Sequence, residues 1–139
     1  MAAVKKFKSP IRTVKQTISA SQIVALGAST TGTIVLEPSF DIPAGAMVIR
    51  ATVANGGTAA ATLATLTAQL GDSTDPDQPI AAATVFAANA IAGGVPAAAF
   101  TSTPAATTAL ELLLTGDVNL STLTGLDDGL VVTVSYLEA

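Results

Sequence analysis

The sequence predicts an all-β fold: a single jelly-roll-like antiparallel sandwich or barrel formed by residues 16–139, preceded by an extended basic arm of residues 1–15. Three observations carry this. Apolar residues recur with a period of two in several short runs. Gly, Pro and Asp clusters punctuate those runs at turn-like intervals. Five of the six cations, Lys5, Lys6, Lys8, Arg12 and Lys15, lie in the first fifteen of 139 residues. The first sixteen residues therefore carry +5. The remainder sets Arg50 against ten carboxylates, a net of −9.

The runs place strands near 12–19, 32–37, 46–54, 61–70, 80–87, 107–115 and 129–137. In the second, Ile34 and Leu36 oppose Val35. In the third, Met47, Ile49, Ala51 and Val53 fall on one face, with Val48, Arg50 and Thr52 on the other. Pro38 and then Asp41-Ile42-Pro43-Ala44-Gly45 separate these two strands. Asn55-Gly56-Gly57 closes the third and predicts a tight reversal. Thr58–Leu70 fits a helical face through Leu63, Leu66 and Leu70, and a strand through Leu66, Ala68 and Leu70. The β-branched Thr62, Thr65 and Thr67 and the flanking glycines favour the strand. Ile80–Ala90 is similarly two-sided, since Ala81–Ala83 favour helix and Val85 and Phe86 suit either state. Gly93–Thr107, with Pro96 and Pro104, reads as a long surface loop. Leu110, Leu112 and Leu114 alternate with Ala109, Glu111 and Leu113. After the Gly125–Gly129 turn, Leu130, Val132, Val134 and Tyr136 alternate with Val131, Thr133 and Ser135.

The composition excludes much chemistry. There is no Cys and no His, so disulfides, thiolate and ordinary zinc sites, the commonest general base and the best nucleophile are missing. No Gly-x-Ser-x-Gly aims a serine, and no Gly-rich loop matches a nucleotide fingerprint. Asp72, Asp75, Asp77, Asp127 and Asp128 sit in turn-like segments, where Asp caps its own backbone. Asp72–Asp77 offers carboxylates to a hard cation but lacks the glycine and distal glutamate of an EF-hand loop, and reads as a polar loop. No catalytic residue, cofactor, metal or small-molecule substrate is expected. Four Phe, one Tyr and no Trp leave no platform for stacking sugars. Positive charge at the N-terminus is followed by no apolar run, so it is not a signal peptide. Asn89, Gly93-Gly94 and Pro96 interrupt the one long uncharged span, so no membrane partner is expected.

The arm has five charges for a polyanion but only Phe7 for stacking, and the acidic body repels nucleic acid. A nucleic-acid-binding module is therefore a minor alternative. The expected role of Val4, Lys5, Lys6, Phe7, Lys8, Ile11, Arg12 and Lys15 is docking onto an acidic protein surface, which includes the body of the next copy. Charged residues are 12% and aromatics 4%, and Ala dominates the apolar half. Such a core suggests marginal stability as a monomer and help from self-assembly.

Phe40-Asp41-Ile42-Pro43-Ala44-Gly45-Ala46 leading into Met47–Val53, Gln69-Leu70-Gly71-Asp72 followed by Asp75-Pro76-Asp77, and the closing strand Gly129–Glu138 with Tyr136 together resemble small structural proteins of tailed bacteriophages. They are most similar to capsid decoration, or cement, proteins. The resemblance covers roughly residues 32–80 and 129–138, and the Ala- and Thr-rich stretch 81–109 departs from it. It implies a β-sandwich made in the bacterial host cytoplasm that decorates and stabilises the virion at the capsid surface. The implied partners are the major capsid protein and other copies of the chain in a trimer whose arms bridge neighbours. A tail or fibre-associated subunit is the alternative within the same resemblance. The family carries no catalytic residue onto this chain.

Overall fold

The computed structural model describes residues 11–72, 80–94 and 107–137. Eight strands form two four-stranded antiparallel sheets: β1 (Ile11–Ile18), β2 (Thr31–Val35), β3 (Met47–Asn55), β4 (Leu66–Gly71), β5 (Ile80–Thr84), β6 (Ile91–Gly94), β7 (Glu111–Gly116) and β8 (Leu130–Leu137). Sheet A has the order β1-β8-β3-β6 and sheet B the order β2-β7-β4-β5. β1 pairs with β8, β2 with β7, β3 with β6 and β4 with β5. The chain is thus a nested set of antiparallel pairs, rolled so that β8 also meets β3 and β7 also meets β4. That winding is the jelly roll, and the two sheets stay open as a sandwich rather than closing as a barrel.

Alternation survives where the ladder is regular. Leu130, Val132, Val134 and Tyr136 of β8 face the core, as do Leu112 and Leu114 of β7 and Leu66, Ala68 and Leu70 of β4. Sheet B presents leucines to the smaller Ala51, Val53, Val132 and Val134 of sheet A, so large meets small across the interior. In β3 the expected phase is corrected. The ladder shifts between Val48 and Arg50, leaving Ile49 as the extra residue of a bulge. Val48 points inward and Met47 does not, while Ala51 and Val53 resume the inner face.

Three further expectations change. The residues after Asn55 do not reverse within one sheet; they cross to the other, and β4 begins only at Leu66. The predicted strand 80–87 ends at Thr84, and Ile91–Gly94, half of it assigned to a loop, forms the edge strand β6. Most of the loop expected at 93–107 lies outside the described residues. A short helix, α1 (Ala20–Val24), follows β1, with a capping box in which the Ser19 hydroxyl accepts from the Gln22 amide and the Gln22 side chain accepts from the Ser19 amide. It drops Ile23 into the core. At the opposite end a single turn at Pro38–Phe40 does the same with Phe40, and Gly45 at φ +81° closes the Pro43–Ala46 turn that delivers the chain to β3.

Asn55 is the one buried polar side chain among the described residues. Its carboxamide nitrogen donates to the carbonyls of Thr58 (3.1 Å) and Val85 (3.2 Å), and its oxygen accepts from the Gly57 amide (3.1 Å). Its backbone N–H donates to Ala90 (2.9 Å), and its carbonyl accepts from Asn89 (2.7 Å). One residue thereby ties the crossing after β3 to the β5–β6 connection. Asn55→Ala leaves those carbonyls buried without a donor and should cost about 2–3 kcal/mol in urea unfolding. A loss below about 0.5 kcal/mol would mean that water or a shifted backbone replaces the carboxamide.

Gly129 enters β8 at φ +68°, where a Cβ would lie 2.3 Å from the Ile18 carbonyl oxygen. Gly129→Ala should therefore destabilise by about 2–4 kcal/mol. Gly56→Ala, with nothing within 4 Å of the added carbon, should stay within about 0.5 kcal/mol in the same assay.

Candidate interaction surface

Of the arm residues, Val4, Lys5, Lys6, Phe7 and Lys8 lie outside the described residues. Ile11, Arg12 and Lys15 belong to β1 and lie along its ladder with β8. Directly paired residues share a face. Arg12, Val14, Gln16 and Ile18 pair with the inward Tyr136, Val134, Val132 and Leu130, whereas Ile11, Thr13, Lys15 and Thr17 share the outer face of sheet A. The two cations are therefore not one cluster: Lys15 looks outward with Ile11, and Arg12 lies on the opposite face of the strand. Thr13 and Ser135 hydroxyls meet at 2.9 Å on the outer face. On the inner side the Gln16 carboxamide oxygen accepts from the Glu37 amide (2.9 Å), fastening β1 to the chain leaving β2.

The register extends this outer face in rows. Ile11, Leu137 and Met47 form the first, and Thr13, Ser135 and Arg50 the second. Lys15, Thr133, Thr52 and Gly93 form the third, and Thr17, Val131, Ala54 and Ile91 the fourth. The surface is made of threonine, serine and aliphatic side chains, with two cations and no carboxylate. Ile11 is 49% and Ile91 63% exposed. Arg50 was visible in the sequence as the body's lone cation, but its place beside Lys15 depends on β8 lying between β1 and β3.

The carboxylates lie elsewhere. Glu37, Asp41, Asp72 and Glu111 belong to the end of the sandwich where β1 begins, and Asp117, Asp127 and Asp128 to the other. Asp127 and Asp128 occupy the turn closed by the Gly129 amide donating to the Leu126 carbonyl (2.8 Å). Asp75 and Asp77 of the suggested cation loop lie outside the described residues. Among the described residues no three Asp, Glu, His or Cys side chains come together as a metal set, and no helix is long and apolar enough to cross a membrane.

Asp117 has a structural task. Its Oδ1 accepts from the backbone amides of Ala64 (2.9 Å) and Thr65 (3.1 Å), which fixes the entry to β4. Led by the bond from Thr65, these contacts hold its pKa below the ordinary carboxylate value despite an opposing contribution from desolvation.

No family model matches the sequence, and no curated protein matches it. Among solved structures, the chain is similar over its whole length to a chain of the cyanophage Pam1 capsid asymmetric unit, at 20% identity and a TM-score of 0.51. The likeness covers 100% of this chain and 92% of that one. It establishes a shared fold.

A carboxylate with a lowered folded-state pKa adds stability that is present above its unfolded pKa and lost as pH falls through the folded value. Asp117→Asn should therefore be less stable than the parent near neutral pH, and the gap should close in strongly acidic buffer. Denaturant titrations of both proteins across pH check this; a gap independent of pH would show that Asp117 acts only as a neutral acceptor.

Proposed function

We propose that the chain is a non-enzymatic structural protein of a bacteriophage capsid, attached to the outside of the shell as a trimer and bridging neighbouring subunits through its N-terminal arm. The observation that carries this reading is the full-length likeness of fold to a chain of a phage capsid asymmetric unit. Two independent features support it. The sequence lacks His and Cys and has no catalytic constellation. Its charge is divided between a basic arm and an acidic body, which suits contacts between unlike protein surfaces.

The mechanism is attachment by many weak contacts. An exposed ion pair contributes about 0–1 kcal/mol, so Lys5, Lys6 and Lys8 orient the arm more than they hold it. Val4, Phe7 and Ile11 supply apolar anchors, and burial of a ring such as that of Phe7 carries more of the affinity. A trimer presents three arms at once. Once one is seated the others bind at high effective concentration, so modest single contacts become durable on a symmetric shell.

Deletion of residues 1–10 stops short of β1. It should leave the melting temperature unchanged while weakening shell binding about ten- to a hundredfold, with Phe7→Ala accounting for much of the loss. Quantification of the chain in purified virions and in separated head and tail fractions tests the reading. Its absence from heads, or full occupancy by the truncated chain under competition with the intact one, would overturn it.

A further inference from the structure

We infer that the outer face of sheet A is a self-assembly surface that packs, head to tail, against the Glu37–Asp41 end of a second copy. This rests on the reading that the chain assembles with itself, and it names the interface. The charge layout carries the argument. Every cation among the described residues belongs to β1 or β3 of sheet A, and Lys15 and Arg50 project from its outer face. All seven described carboxylates lie off that face. From the register, Lys15 and Arg50 are separated by two strand spacings and one residue pair, about 12 Å between backbones.

A two-fold contact of sheet A with itself would set each cation against cations with no carboxylate on the face to offset them. The complementary surface is the acidic end. There Glu37 and Asp41 bracket a rigid turn. The Phe40 amide donates to the Glu37 carbonyl (2.8 Å), the Asp41 amide to Pro38 (3.0 Å) and the Glu37 amide to Gln16 (2.9 Å), with the Phe40 ring buried beneath. On this fixed base Glu37 is exposed and Asp41 half-buried.

Such a contact is heterologous, so it generates a ring or a filament according to the angle between the two surfaces. A sheet face and a sandwich end lie at a steep angle to one another, which favours a small closed ring over an extended filament. The face measures about 450 Å² from strand spacing and rise, below the roughly 800 Å² per partner of a stable interface. A contact of that size is weak singly, so the association is concentration-dependent.

Sedimentation velocity of the full chain, over a range of concentration and salt, tests this with two charge-reversed variants. The parent should form a species larger than a dimer that dissociates as salt rises. K15E/R50E and E37K/D41K should each raise the dissociation constant at least tenfold while keeping the parental melting temperature. An equimolar mixture of the two should associate again, in alternating and therefore even-numbered species, because each reversed face matches the other variant's reversed end. K15R/R50K should assemble like the parent. A parent that is monomeric or dimeric at every concentration, variants that assemble unchanged, or a mixture that fails to recover would overturn the interface. Virion incorporation, measured in parallel, separates this from the functional reading. A monomeric chain found on heads refutes the interface alone, whereas a ring absent from heads refutes capsid attachment and leaves the interface standing.

Discussion

The structure depends on β8 lying between β1 and β3. The closing strand is hydrogen-bonded on both edges over its length, and its inward Leu130, Val132, Val134 and Tyr136 form the middle of sheet A. Without it, β1 has no partner and the sheet loses its interior wall. The same arrangement recurs in sheet B, where β7 from late in the chain enters between β2 and β4 from early in it. Each central strand thus joins segments remote in sequence. The cost is loop-closure entropy that must be met before the ladders form, which makes this a slow-folding topology compared with a helical bundle.

The sharp entries and exits of those strands fall on positions that admit little substitution. Gly129 turns the chain into β8 against the Ile18 carbonyl, and a Cβ at Gly125 would sit 2.1 Å from the Ala59 carbonyl oxygen. Asn55 marks the point where the chain leaves sheet A for sheet B, and its side chain takes over hydrogen bonds that no strand neighbour can supply there. A buried amide at a sheet-to-sheet crossing answers a backbone problem: carbonyls of a buried crossing need donors, and water is excluded. This is why Asn55, the one buried polar side chain among the described residues, lies at the end of a strand.

Much of this was legible in the sequence wherever the pleat runs uninterrupted. β7 and β8 alternate without a bulge, and their inner faces are as the period of two requires. β3 misled because the bulge at Ile49 moves every preceding residue to the other face, and nothing in Met-Val-Ile-Arg marks which residue is extra. β6 was missed because Ile91-Ala92-Gly93-Gly94 is a four-residue edge strand, and a short edge needs little apolar patterning to stay paired. The Ser19-Ala20-Ser21-Gln22 capping box was readable and marks α1. The division of charge was plain from composition. The placing of Lys15 and Arg50 on one face was not, since it depends on a strand order that local sequence does not encode.

The distribution of charge also bears on how the exposed edges are kept from pairing at random. β6 and β5 are short, β5 carries a ladder irregularity, and β2 has five residues with Gly32 among them. β1, with eight residues in unbroken register, is the longest edge and the one best suited to accept a foreign strand. It carries Lys15 on its outer face and Arg12 on the other, and Pro10 precedes it. Charge and proline at an edge oppose indiscriminate strand addition. The same cations favour a neighbour that offers carboxylates. One charge pattern therefore blocks the unwanted contact, sheet edge to sheet edge, and orients the wanted one. In the inferred contact these pairs would lie at a surface, so their contribution would weaken as salt rises, leaving the apolar Ile11 and Ile91 on the same face to carry the part of the affinity that salt does not remove.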